Sequence, residues 1–114
     1  MTFERFTKAG RFYTPKASIW TRGQIGFNQG AVDKFKLMDF DYAVLFYDKD
    51  EKKVGVQFTN DASESGVTKV VKGKTGVFVS ARSFVNYYDI PHAKTKKYDV
   101  NYDEDNQMYV FEHD

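Results

Sequence analysis

The pattern of apolar and polar positions predicts a mainly β chain that contains the same unit twice. Residues 18–59 and 68–112 each follow the order strand, glycine turn, strand, short helix and hairpin. At a constant offset of 52 residues, Ile25 matches Val77, Phe27 matches Val79, Asn28 matches Ser80, Val32 matches Phe84 and Phe35 matches Tyr87. Since either copy alone is too small to bury a core, we expect one pseudo-symmetric barrel rather than two domains.

In the first copy, the pattern predicts short strands at 17–20 and 24–28 and a helix at 29–37 with Asn28 as its N-cap. The apolar run 42–47 predicts a deeply buried strand, and the alternating positions 54–58 predict a half-exposed partner. The polar segment 60–66 predicts a surface linker between the copies. Residues 1–17 form a basic aromatic arm in this division, and residues 18–114 form the barrel domain.

In the second copy, strands are predicted at 67–72 and 77–79, followed by a helix that Ser80 caps and that ends before Pro91. A second hairpin is predicted at 98–102 and 108–111. Its turn begins at Asp103 and matches the turn that begins at Asp48, at an offset of 55. The change of offset requires a three-residue insertion, which we place in the loop at 91–93.

Composition favours sheet structure and gives little support to catalysis. Aromatic residues make up 18% of the chain, and there is no cysteine, which excludes disulfides and thiolate ligands. His92 and His113 stand in no metal or triad spacing, and both are expected to be exposed to solvent. The Asp-x-Asp pairs at 48 and 103 lack the later ligands of a calcium loop, so we expect hairpin turns there. No enzymatic activity, metal or cofactor is expected.

The net charge of the chain is only +1, but the charges are unevenly distributed. Residues 1–36 carry seven basic residues against two acidic ones, whereas residues 99–114 carry six acidic residues and no lysine or arginine. This distribution favours a nucleic acid or an acidic partner, and the alternative is a solvated surface with both signs. No apolar run approaches the roughly 18 residues of a membrane span, so we expect no membrane partner and a cytoplasmic location.

The predicted arm combines aromatic and basic residues. Phe3, Phe6, Phe12 and Tyr13 stand among lysines and arginines, with Gly10 and Pro15 as breakers. Two interpretations remain open at this stage. The rings pack on the barrel wall, or they stack on bases beside the cationic side chains.

The segment from Ser18-Ile19-Trp20-Thr21-Arg22-Gly23-Gln24 through the short helix to Phe58 resembles the swapped-hairpin unit of AbrB-like proteins. The match covers roughly 40 residues of the first copy, and the second copy repeats it more loosely. The resemblance implies a small pseudo-twofold β-barrel with two short helices, of the swapped-hairpin or a related cradle-loop type. Both units would then belong to one chain.

Members of that family are mostly DNA-binding transcriptional regulators or antitoxins, which use basic residues on the first turn and on the helix. Carried over by position, the resemblance implies DNA contacts from Arg22 and Gln24 in the first copy, and from Lys72, Lys74 and Arg82 in the second. Lys16, the last basic residue of the arm, completes the candidate set. The expected partner is double-stranded DNA.

The alternative hypothesis is a non-catalytic module for protein interaction or an oligomeric scaffold. Its basis is a surplus of amphipathic aromatic residues, a class that interfaces favour. These residues are Trp20, Tyr42, Tyr47, Tyr87, Tyr88, Tyr98, Tyr102 and Tyr109. In that case the partner is another protein or a second copy of the chain, bound through exposed aromatics.

Overall fold

The computed structural model describes residue 3 and residues 14–114 of the chain. Most of the predicted arm lies outside the described residues, and the barrel begins at Lys16. The elements are β1 (Lys16–Ile19), β2 (Gln24–Asn28), α1 (Gln29–Phe35), a single 3₁₀ turn (Leu37–Asp39), β3 (Tyr42–Asp48), β4 (Lys53–Thr59), β5 (Thr68–Lys72), β6 (Gly76–Ser80), α2 (Arg82–Tyr87), β7 (Lys96–Asp103) and β8 (Met108–Glu112).

The eight strands close into one antiparallel barrel in the order β1, β2, β6, β5, β3, β4, β8 and β7. The first hairpins of the two copies, β1–β2 and β5–β6, are neighbours, and the second hairpins are neighbours on the other side. The second hairpin of each copy pairs with the first strand of the other copy, since β7 pairs with β1 and β3 pairs with β5. This exchange of hairpins confirms the predicted mainly β, pseudo-twofold barrel with two short helices.

Two strand pairs show where the pseudo-twofold axis crosses the barrel wall. In the β2–β6 pair, Gly26 lies opposite its own counterpart, Phe78. In the β4–β8 pair, Gly55 likewise lies opposite its counterpart, Val110. The axis therefore enters the barrel through the first hairpins and leaves it through the second hairpins.

The core is filled by alternate side chains of the strands, as the two-residue period of a half-buried sheet requires. The largest fully buried side chains are Phe111, Ile19, Ile25, Leu37, Ile90, Val54, Val56, Val77, Val79 and Val85. The helices add aromatic contacts at its edge. The Phe35 ring of α1 lies 4.4 Å from the Tyr109 ring, and Phe84 of α2 packs edge-on against Tyr47.

Asn28 caps α1 as predicted, and it also holds the chain that enters β1. Its side-chain oxygen accepts from the backbone N–H groups of Ala31 and Lys16, and its amide donates to the Thr14 carbonyl. The matching prediction for Ser80 is wrong. Ser80 stays within β6, and Ala81 takes the cap position of α2 without a side-chain hydrogen bond.

The predicted burial of the β3–β4 hairpin is reversed in the structure. β4 is the more buried strand, because the Met108 side chain lies directly over Gly55 on its outer side. β3 turns Phe46 outward, and this ring is 41% exposed although the run 42–47 is continuously apolar. The apolar outer positions of β3 therefore belong to the surface rather than to the core.

The linker at 60–66 is exposed along its whole length, as predicted. The connection from α2 to β7 is longer than the one from α1 to β3, in agreement with the predicted insertion at 91–93. Neither helix within residues 14–114 has the length and apolar character that a membrane crossing requires.

Candidate nucleic-acid interface

The first hairpin of each copy and the second hairpin of each copy differ in their charged residues. The first hairpins, residues 16–28 and 68–80, contain no Asp or Glu, and their basic residues are Lys16, Arg22, Lys69, Lys72 and Lys74. The second hairpins, residues 42–59 and 96–112, contain eight acidic residues against five lysines. Because each kind forms its own side of the barrel, we name the outer side of β1, β2, β6 and β5 the basic face. The outer side of β3, β4, β8 and β7 is the acidic face.

Arg22 and Lys74 occupy equivalent positions in the two tight turns of the basic face. The turns lie at opposite ends of the β2–β6 pair, in which Gln24 pairs with Ser80 and Asn28 with Gly76. With a rise of about 3.4 Å per strand residue, the two turns are roughly 20 Å apart. Both side chains are exposed, so the face carries one cation at each end of its central strands.

Arg82 lies beside the turn that carries Arg22. Gly23 has a φ of +80°, and a Cβ built on it would stand 2.8 Å from the Arg82 Cα. The Gly23 carbonyl also accepts a hydrogen bond of 2.9 Å from the Ala81 N–H, which fixes the start of α2 against the turn. Glycine is required here by both the backbone conformation and the close approach, and the result is a pair of neighbouring arginines.

Gln24 is the first residue of β2 and lies half-buried on the basic face. Lys16 lies on the outer side of β1, whereas Lys72 is the last residue of β5 and follows the alternation of the buried Val70. Each is engaged in an ion pair. Lys16 pairs with Asp99 of β7, and the Lys72 Nζ lies 2.9 Å from an Asp41 oxygen. Exposed pairs of this kind contribute about 0–1 kcal/mol, so both lysines can exchange a carboxylate for a phosphate at little cost.

The structure adds two lysines that the sequence reasoning missed. Lys69 is exposed on β5 beside Tyr42, and Lys97 of β7 lies opposite Ser18 of β1, at the border between the acidic and the basic face. Alternation along β5, where Val70 is buried between exposed neighbours, points to Lys69 from sequence alone. Lys97 comes next to the basic face through the exchanged β1–β7 pairing, which no local pattern reveals.

An apolar strip crosses the centre of the basic face. The six-membered ring of Trp20 lies over Gly26, where an added Cβ would stand 2.5 Å from the ring. Phe78 pairs with Gly26 and lies 5.4 Å from Trp20 between ring centroids. Val71, the partner of Phe78 on β5, is 43% exposed. These side chains face outward, since the neighbouring Val77 and Val79 are buried in the core.

The acidic face carries a groove of about 850 Å³. Its floor contains the apolar side chains of Phe46, Val110 and Met108. Acidic residues frame it, namely Asp48, Glu51, Asp99, Asp103 and Glu112, together with Lys16, Lys53 and Lys97. The two sides of the barrel therefore differ in charge, and each has apolar side chains at its centre.

The Asp-x-Asp segments at the hairpin tips are turns, as predicted. Asp48 accepts the backbone N–H groups of Asp50 and Glu51, and Asp103 accepts those of Asp105 and Asn106. The Asn106 side chain also donates to Asp103, and this hydrogen bond lowers the pKa of the Asp103 carboxyl. Within the part of the chain that the structure describes, no three His, Cys, Asp or Glu side chains are grouped to hold a metal ion.

His113 is buried, at 6% exposure, so the prediction of an exposed side chain is wrong. Its Nδ1 donates to the Asp114 carbonyl, and its Nε2 lies 2.6 Å from the Tyr47 hydroxyl. Burial, together with the nearby Asp48 carboxylate, raises the pKa of that hydroxyl. His113 takes the place in the second copy that Phe58 holds in the first, so a core position is occupied by an imidazole that packs flat against Tyr47. His92 is half-buried, with its Nδ1 on the Ile90 carbonyl.

Fold and site together define a single-chain, eight-stranded antiparallel barrel of two exchanged-hairpin repeats with one basic and one acidic face. Comparison of the chain with protein-family models, with curated proteins and with solved structures gives no match.

Proposed function

We propose that the chain is a small DNA-binding protein that contacts DNA through its basic face. One observation carries this proposal: the two hairpins that form this face contain no acidic residue, although the chain as a whole is nearly neutral. Basic side chains supply the phosphate contacts that dominate affinity for nucleic acids. The proposal includes the role of a transcriptional regulator of AbrB-like type, which the exchange of hairpins between the two copies supports.

The cations are arranged so that they can contact phosphates at both ends of the face. Arg22 and Arg82 are neighbours at one end, and Lys74 stands at the other. Gln24 lies between the two ends and can donate to and accept from a base edge. Among residues 14–114, the carboxylates that form ion pairs with lysines of β1 and β5 are those of Asp99 and Asp41.

We expect the double variant Arg22→Glu, Lys74→Glu to bind DNA about 100-fold more weakly than the unmodified chain at about 50 mM salt. Each substitution replaces a phosphate contact by repulsion, so the slope of log affinity against log salt should also become shallower by about 2. Fluorescence anisotropy with a labelled oligonucleotide, at about 50 and 200 mM salt, measures both quantities.

The matched control is Lys49→Glu, Lys53→Glu, which makes the same change of net charge on the acidic side of the barrel. It should change the affinity for DNA by no more than about threefold, because it alters only the overall electrostatic field of the protein. Equal losses in the two double variants, or no binding by the unmodified chain at the lower salt, would contradict the proposal.

A second candidate function rests on the groove of the acidic face. Phe46 is exposed there beside Val110 and Met108, and a frame rich in carboxylates surrounds them. This chemistry suits a protein segment that presents apolar side chains together with lysine or arginine. Chemical shifts of the Phe46 and Val110 amides on addition of such a peptide test this function, and unchanged shifts at saturating peptide would exclude it.

A further inference from the structure

We infer that the basic face binds single-stranded nucleic acid in preference to a duplex, with bases stacked on Trp20 and Phe78. This inference rests on the proposed function, since it specifies which form of nucleic acid the same face takes. It comes from the apolar strip at the centre of the face, which phosphate contacts leave unexplained.

The Trp20 and Phe78 rings are not part of the hydrophobic core of the barrel. Trp20 and Phe78 project from the outer side of the wall, whereas the core is filled from the inner side by Ile25, Val77 and Val79. Gly26 lies between them, and the absence of a side chain there lets the Trp20 ring lie against the backbone. The strip is continued by Val71 on the next strand.

Half-buried rings on the outer side of a basic surface suit unpaired bases. Each base has a π-face, and stacking on an aromatic side chain contributes about 1–3 kcal/mol per base, while nearby cations follow the backbone. In a duplex the bases are already stacked on one another, and the surface that meets a flat protein face consists mainly of phosphate and sugar. A duplex would therefore leave Trp20 and Phe78 with no favourable partner.

The asymmetry of the apolar strip also favours a single strand over a duplex. The pseudo-twofold axis passes through Gly26 and Phe78, so a symmetric face would carry the same side chains on both sides of it. Instead the counterpart of Trp20 is Gly73, since the Trp20 N–H donates to the Gln24 carbonyl as the Gly73 N–H donates to the Gly76 carbonyl. The counterpart of Gly26 is Phe78. A single strand has a direction and no dyad, so it can use a ring that is present on only one side of the axis.

The test compares oligonucleotides of about 12 residues, close to the site size of small barrels. Oligo(dT), oligo(rU) and a DNA duplex of the same length are titrated at one salt concentration, and anisotropy gives the affinity for each. Trp20 is the only tryptophan of the chain, so its fluorescence reports directly on the proposed contact. We expect quenching by a single strand and an affinity at least about tenfold above that for the duplex.

Two variants remove a ring and keep an apolar side chain, namely Trp20→Leu and Phe78→Leu. Each should weaken binding of the single strand about fivefold or more and change duplex binding by less than about twofold. Phe46→Leu, an exposed ring on the acidic face, is the matched control and should change neither. Equal thermal midpoints show that the variants are folded, and Phe78→Leu serves alone if Trp20→Leu is destabilised.

The outcomes separate the inference from the function on which it rests. Tighter binding of the duplex, or single-strand binding that Phe78→Leu does not change, overturns the inference and leaves DNA binding by the basic face intact. No binding of any oligonucleotide overturns both. A difference between oligo(dT) and oligo(rU) assigns the natural ligand to DNA or to RNA within the same inference.

Discussion

Phe111→Ala is expected to destabilise the fold by about 3–5 kcal/mol, the range for truncation of a fully buried phenylalanine. Phe111 is 1% exposed and is the largest of the fully buried side chains. Its ring stacks on Tyr98 at 5.7 Å, and its backbone lies between Val54 and Val100 on the two adjacent strands. With a total stability of about 5–15 kcal/mol for a domain, this loss leaves little margin.

Urea unfolding followed by circular dichroism measures the free energy of unfolding of this variant. The control is Val110→Ala, one residue away on β8, whose side chain points outward into the groove. It should cost about 1 kcal/mol or less, because less apolar surface is removed from a site that can relax. Similar losses in the two variants would show that the inward and outward sides of β8 are wrongly assigned.

Separating the two copies is expected to abolish folding of each as a monomer. The barrel has eight strand interfaces, and four of them join one copy to the other. These are β1–β7, β2–β6, β3–β5 and β4–β8. A fragment of residues 1–62 or 63–114 therefore loses half of its strand pairing, and it exposes the side chains that fill the core.

Each fragment alone should give the circular dichroism of an unfolded chain, and an equimolar mixture should regain the signal of the intact protein. A fragment that self-associates into a dimer is also consistent with the exchange of hairpins, since a second copy can supply the same four interfaces. A fragment that is folded and monomeric by light scattering would contradict the pairing described here.

The repeat explains why much of the fold could be predicted from the sequence. Ile25 and Val77, or Phe27 and Val79, are core positions in both copies, so their common offset predicts a shared barrel. The errors fall where the copies have diverged. Ser80 has the same place in the sequence as Asn28, but its side chain is shorter, and Ala81 takes over the helix start through its hydrogen bond to Gly23.

His113 and β3 were mispredicted for a different reason. A histidine near the end of the described chain gives no local sign of burial, and His113 is enclosed because Tyr47 of the other copy provides both a hydrogen bond and a stacking partner. The apolar run 42–47 contains no indication of which face meets solvent. That choice follows from the closure of the barrel, which leaves Phe46 outside.

The candidate site could be predicted only in part. The absence of acidic residues from 16–28 and from 68–80 is visible in the sequence, but only the topology makes these segments neighbours. The apolar strip could not be predicted from the sequence for the same reason. Trp20 and Phe78 are far apart in the chain, and they meet across the β2–β6 pair, which joins the two copies.

The central claim is that one side of the barrel binds nucleic acid and the other does not. A two-dimensional amide NMR spectrum of the labelled protein, recorded during titration with an oligonucleotide, tests it residue by residue. We predict that the shifted amides cluster in 18–28, 69–80 and at Arg82, while those of 44–57 and 101–112 stay in place. Shifts concentrated in the second pair of ranges, or an unchanged spectrum at a saturating concentration of oligonucleotide, would contradict the account.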